Sequence, residues 1–290
     1  GAAGCGECKA GSYADIGHPH DCHTCVAGKF SGAGASACAV CPKGHRCPAG
    51  CGAAIVCEVG TMAAAGSSVC TTCGKGRYQS QKGRDYCDKC DAGSYQDKTG
   101  EGSCKKCADG SISDASADKC TVCKAGYHRT NVDECSKCPA GSISKEGSNT
   151  CTSCEKGDVA GEAGLTTCTP CDPGKYSTDL KRCLDCEGGY YAPTKGSTAC
   201  TPTPAGSYSG IGASAYTQCP TGKWSATKSD TCTWCASGTY NDQKGAASCK
   251  NCDAGKYQPS DTGEKGSDTC YTCGAGLYAP EKSKSCTECP

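Results

Sequence analysis

Residues 168–186 read Cys168-Thr-Pro-Cys171-Asp-Pro-Gly174-Lys-Tyr176-Ser177-Thr-Asp-Leu-Lys-Arg-Cys183-Leu-Asp-Cys186. A Cys-x-x-Cys step is followed three residues later by glycine, two further on by an aromatic, and then by a small polar residue. The unit C-x-x-C-x-x-G-x-Y-S returns every 15 to 17 residues, with one longer interval of 21, between Cys5 and Cys289. An internal period of this kind defines an array, here a tandem array of about 17 cysteine-rich units across residues 1–290. The chain opens and closes inside the repeat, at Cys5-Gly-Glu-Cys8 and Cys286-Thr-Glu-Cys289-Pro290. That reads as a segment of a longer array, with any targeting signal or anchor outside it.

Composition sets the same limits. Leu, Ile, Val and Phe number 18 of 290 residues, too few to bury a core that offsets the entropy of ordering. The 35 cysteines, about 12% of the chain, exceed the ~8–10% that marks a disulfide scaffold. Cross-links therefore stand in for the missing core, and no large globular domain is expected. Thirty basic and thirty acidic residues balance without a basic run, so nucleic acid and acidic membrane surfaces are poor partners. No stretch approaches the ~18–20 apolar residues of a membrane span.

A glycine stands three places after the second cysteine in all seventeen intervals, as at Gly11, Gly28, Gly93, Gly141, Gly174, Gly206 and Gly255. Agreement among so many positions of one chain indicates a backbone need, a tight turn with φ > 0. The slot two residues on holds Tyr13, Phe30, Tyr78, Tyr95, Tyr176, Trp224 and others, with Met62, Ile112, Ile143 and Val159 also present. Only Arg46 and His128 break its apolar rule. Such a stretch after a glycine turn predicts a small strand or hairpin per unit, the ring against the neighbouring disulfide. The polar second half, as in Ser80-Gln-Lys-Gly-Arg84, reads as an exposed turn. No helical period occurs.

Two substitutions bear on the pairing. The step beginning at Cys200 lacks its second cysteine, which is Thr203, and the next lacks its first, where Tyr216 precedes Cys219. A bonded pair is expected to vanish as a pair, because a lone survivor is a reactive thiol. The simplest rule joins the second cysteine of each step to the first of the next. It predicts Cys8–Cys22, Cys25–Cys38, Cys57–Cys70, Cys73–Cys87, Cys90–Cys104, Cys107–Cys120, Cys123–Cys135 and Cys138–Cys151. It continues with Cys154–Cys168, Cys171–Cys183, Cys186–Cys200, Cys219–Cys232, Cys235–Cys249, Cys252–Cys270 and Cys273–Cys286. Residues 200–219 then form a joint without a disulfide. A rival scheme joins paired steps by two bonds each and links Cys200 to Cys219; it requires an alternation that the glycine and aromatic pattern lacks.

The unit 41–57 departs from the pattern. Ala54 stands where the first cysteine belongs, while Cys47 and Cys51 are extra. Cys41 is left to bond Cys47 or Cys51, and the third thiol is either a local leftover or a link between protomers. Cys5 and Cys289 are left to partners outside the rule.

The chemistry-bearing alternatives are weaker. Zinc tetrads would need nine sites with distinct linkers, against uniform intervals. Thioredoxin-like redox work needs a helix start in a βαβ context. His18, His20 and His23 form a lone polar cluster that reads as solvated surface, and residues 263–268 lack calcium-loop spacing. No nucleophile–base pair or phosphate loop is found, so neither enzyme activity, metal nor cofactor is expected. No Asn-x-Ser/Thr sequon occurs, and exposed Ser and Thr leave O-glycans open.

Segments such as Cys135-Ser-Lys-Cys138-Pro-Ala-Gly141-Ser-Ile-Ser144 and Cys168 to Ser177 resemble the ephrin-receptor-like cysteine-rich repeat, related in style to tumour-necrosis-factor-receptor modules. The resemblance covers essentially the whole chain. It implies small disulfide-rich repeats in an extracellular, elongated β-hairpin and loop rod with little regular secondary structure. In protists and algae such repeats often occur in long surface or flagellar proteins. The expected function is an extracellular structural protein: a spacer, coat component or subunit of a surface filament or flagellar hair. Its partners would be copies of itself or other surface proteins. The alternative is a ligand-binding receptor ectodomain or variable surface antigen.

Overall fold

A computed structural model describes residues 7–18, 21–259 and 268–290. Among them are no helices, and hence none able to cross a membrane, only seventeen two-stranded antiparallel hairpins. Cys5 and His20 lie outside the described residues. The repeat at the quoted stretch shows how each hairpin arises. Asp172, Pro173, Gly174 and Lys175 close a turn in which the Lys175 N–H donates to the Asp172 carbonyl at 3.1 Å. Gly174 takes φ +86°, the left-handed value that a type II turn needs at its third residue, with proline at the second. The chain leaves it as the strand Lys175–Tyr176, which pairs with Leu184–Asp185, the two residues inside the next Cys-x-x-Cys step. The Cys171–Cys183 bridge closes the unit beside this ladder.

The chain divides into two compact units. One comprises Gly1–Lys137 with Lys145–Thr150, the other Cys138–Ser144 with Cys151–Pro290. The first carries eight hairpins and the second nine.

A two-residue ladder cannot persist alone in water. Within each unit it is held by backbone bonds between successive repeats. The repeat starting at Cys171 is joined to the next by Gly174 N–H to the Ala192 carbonyl (2.8 Å), Ser177 N–H to the Ser197 carbonyl (3.2 Å), and Gly196 N–H to the Cys171 carbonyl (2.8 Å). The same scheme recurs in the other unit. There Gly60 donates to Gln79, Gln79 to Glu101, and Gly83 to Cys57. The polar second half of each repeat is therefore more than an exposed turn: its apex docks onto the preceding repeat.

Contacts also reach the next repeat but one. A Cβ on Gly174 would fall on the carbonyl oxygen of Gly212; Gly28 faces Gly66, and Gly206 faces Gly245, in the same way. Lys43 and Asp85 form an ion pair at 2.8 Å across the same interval. The turn glycine thus answers two demands, a positive φ and a backbone packed on its missing side chain.

The apolar part of the interior is sulfur and alanine. Buried apolar positions among the described residues are cysteines with Ala63, Ala160, Ala192 and Ala279, and no Leu, Ile, Val or Phe is among them.

Candidate functional site

The side chains with most to do line the column one place after the aromatic. The aromatic slot itself is mostly half-buried, as at Tyr95, Tyr176, Tyr208 and Trp224. In most repeats the following residue is buried: Gln79, Gln96 and Asn241 are 1% exposed and Ser177 0%, while Ala14 and Arg129 are half-buried. These buried polar groups are satisfied locally. Ser31, Ser113 and Ser225 donate to the Ser12, Ser94 and Ser207 carbonyls of the preceding repeat at 2.9, 3.0 and 2.9 Å. Asn241 donates its amide to the Lys223 carbonyl, and Gln79 to that of Tyr86 at 2.9 Å. The Ser177 hydroxyl is the exception, buried with no hydrogen-bond partner. The enclosed column lies one residue after the aromatic slot that the sequence pattern singled out. The usable signal was the run of small or amide side chains at this slot.

Sixteen disulfides are present among the described residues. Fifteen join the second cysteine of a step to the first of the next, from Cys8–Cys22 to Cys273–Cys286. The sixteenth closes the short loop Cys41–Cys47. Cys47 occupies the buried column of its repeat, which brings it within reach of Cys41, while Cys51 sits at the apex. Cys51 is 8% exposed and packed with this pair against Phe30 and Ala54; its thiol donates to the Ala53 carbonyl at 2.8 Å. Cys51 forms no bridge within the chain. Cys289 is free and exposed.

At the other break, Thr203 takes the cysteine's socket. It is 1% exposed, and its hydroxyl donates to the Gly189 carbonyl at 3.1 Å. Its would-be partner Tyr216 turns outward onto Tyr191, ring edge to face with centroids 5.2 Å apart. The backbone bonds to both neighbouring repeats persist, including Gly206 N–H to Ser225 and Lys228 N–H to Thr203. Of the histidines, His23 lies on the hairpin beside the Tyr13 ring, and His18 is exposed.

Charged groups pair across the hairpins at the surface. The Lys105 ammonium donates to Asp97 at 2.6 Å, and Lys250 to Asp242 at 2.7 Å. Those hydrogen bonds hold Asp97 and Asp242 below the usual carboxylate range and raise both lysines. Lys223 sits 3.9 Å from the Trp234 ring centroid.

Repeated hairpins, a bridge in all but one of them, and a core of sulfur define a cysteine-rich repeat array. Residues 222–265 match the family model described as tyrosine-protein kinase ephrin type A/B receptor-like. No curated protein matches the chain. Cysteine-rich repeats of this extracellular type fit a surface or receptor-like protein, since dense disulfides persist in oxidising compartments.

Proposed function

We propose that this chain is an extracellular structural element: a spacer, or a subunit of a cell-surface filament, coat or flagellar hair. The observation that supports it is the serial covalent path. With two exceptions, after Cys47 and after Cys200, each bridge closes one repeat and the next begins three residues on, so load passes mostly from bridge to bridge instead of through a core. Such loops limit extension and leave a protease little slack chain. The array would then act mechanically, without enzyme activity, cofactor or metal. Lateral packing against copies of itself or other surface proteins would use its periodic surface, on a chain of zero formal net charge. Exposed threonines opposite the aromatic slot, Thr201, Thr217 and Thr233, offer hydroxyls for O-glycans.

Labelling intact, unpermeabilised cells with an antibody to the array tests the location, and electron microscopy of the labelled material tests the assembly. Surface label on extended filaments or stalks is expected. Label confined to the cell interior would overturn the reading. A second reading, a receptor ectodomain, is favoured by the receptor-like description of the family model over 222–265 and by the irregular repeat at 41–57. Discrete, unassembled stalks that capture a soluble ligand would support it.

A further inference from the structure

The bridges decide where the chain can lengthen. Wherever the second cysteine of a step is bonded to the first of the next, one S–S bond joins positions 12 to 18 apart and bypasses the residues between them. A pull along the chain cannot draw them out. Between successive bridges the path crosses only a Cys-x-x-Cys step, whose interior residues already lie in a strand. Following the bonds from Cys8 to Cys286, two intervals escape this rule. One runs from Cys47, where the short Cys41 loop ends, to Cys57; the other runs from Cys200 to Cys219.

We propose that residues 200–219 and 47–57 are two extensible joints, a long and a short one, that yield under tension while every other repeat stays locked. The inference rests on the tension-bearing role above for its purpose, though not for its geometry.

The long joint is closed at rest by non-covalent contacts alone. Thr203 N–H and hydroxyl both reach the Gly189 carbonyl, and Gly212 N–H reaches that of Cys186. The strand Ser207–Tyr208 pairs with Thr217–Gln218, and Tyr216 leans on Tyr191. The acceptors Gly189 and Cys186 belong to a repeat locked by Cys186–Cys200, and Ser225 and Ser229, which receive Gly206 and Ser209, to one locked by Cys219–Cys232. Opening therefore leaves both templates in place, and the joint closes again when the load is removed. In the short joint, opening would strip the cover from Cys51, whose thiol is buried at rest.

The spans follow from chain geometry. Cys219 lies 19 positions after Cys200, and Cys57 lies 10 positions after Cys47. At ~3.3–3.6 Å per residue, full extension gives at most ~65 Å and ~35 Å.

Single-molecule stretching of the purified, oxidised chain between terminal tags tests this. Two reversible lengthening steps are expected, below ~65 Å and ~35 Å, with no others until reductant is added. Absence of the long step, or steps recurring for every repeat without reductant, would overturn the proposal. The double variant Thr203→Cys with Tyr216→Cys, its bridge verified by non-reduced peptide mapping, should lose the long step and keep the short one; a retained long step would refute the assignment. The wild-type trace decides even where that bridge does not form. Maleimide should reach Cys51 only under load, and equal reaction at rest would remove the short joint. Because the trace is read on purified chain, an intracellular location would overturn the functional reading without touching the joints, and a missing step would do the reverse.

Discussion

A methyl group at Gly174 meets two obstacles at once. The left-handed φ of +86° costs an L-residue about 1–2 kcal/mol, and the added carbon would fall on the Gly212 carbonyl two repeats away. Gly174→Ala is therefore expected to destabilise its repeat by 2 kcal/mol or more (roughly the left-handed cost plus displaced backbone). Gly210→Ala, where a Cβ meets nothing within 4 Å, should be close to neutral. Hydrogen exchange at the Cys186 and Gly196 amides would separate the two. The apex position shows the reverse situation. Ser116, Leu180, Lys228 and Lys282 hold φ values of 61 to 65°, where other repeats have glycine. Relief of that strain exceeds the extra chain entropy of glycine by a small margin, so Lys228→Gly should stabilise by up to about 1 kcal/mol. Slower exchange of the Lys228 amide, which donates to Thr203, would show it.

The hairpin is too short to stand on its own ladder, so its stability depends on what the buried column donates to the repeat before it. Ser225→Ala removes a hydroxyl bonded to the Ser207 carbonyl and should cost about 1 kcal/mol. Ser177→Ala removes a buried hydroxyl that has no partner and should be neutral or stabilising. Alanine already fills this slot at Ala160 and Ala192, so neither change leaves a misfit. Thermal unfolding of the two variants side by side checks the contrast; equal losses would contradict it. The cross-hairpin ion pairs act more weakly, being solvent-exposed and screened. Asp97 is depressed by its bond from Lys105, so what it contributes is present above the unfolded carboxylate pKa and disappears as pH falls through the folded one. Lys105 is raised, so its part is complete below the unfolded lysine pKa and is lost as pH rises through the folded one. NMR titration should place the Asp97 midpoint below that of an unpaired aspartate, and Lys105→Ala should move it upward.

Across the whole molecule, sulfur replaces the apolar core. Each bridge closes a loop worth on the order of 3 kcal/mol in the chain-entropy model, except the tighter Cys41–Cys47 loop. Mild reductant alone is thus expected to abolish protection of the interrepeat amides at room temperature, while the oxidised chain retains it. Hydrogen exchange with and without reductant is the measurement, and protection that survives complete reduction would show that the backbone network suffices.

The hairpin, its turn and the absence of helices could be read from one repeat, because they depend on contacts within about 16 residues: a glycine in a tight turn, two short strands and flanking cysteines. The repeat without a bridge was equally visible, as Thr203 and Tyr216 standing in cysteine positions. What lay beyond the sequence was set by neighbours one and two repeats away. A periodic pattern reports that the glycine recurs, but not that the Gly212 carbonyl occupies the space of its missing side chain. Aromatic residues draw the eye in a hydrophobicity pattern, yet the enclosed column belongs to Ser, Ala, Gln and Asn, because stacked backbones leave room only for side chains that are small or bond in place. Likewise spacing left Cys41 a choice of Cys47 or Cys51, and the stack decided it by placing Cys47 in the buried column and Cys51 at the apex. The sequence by itself determined the local unit and its period, through steric and covalent rules acting over a few residues. The tertiary structure alone decided which faces meet, since that depends on backbone groups that every residue carries and no side-chain pattern records.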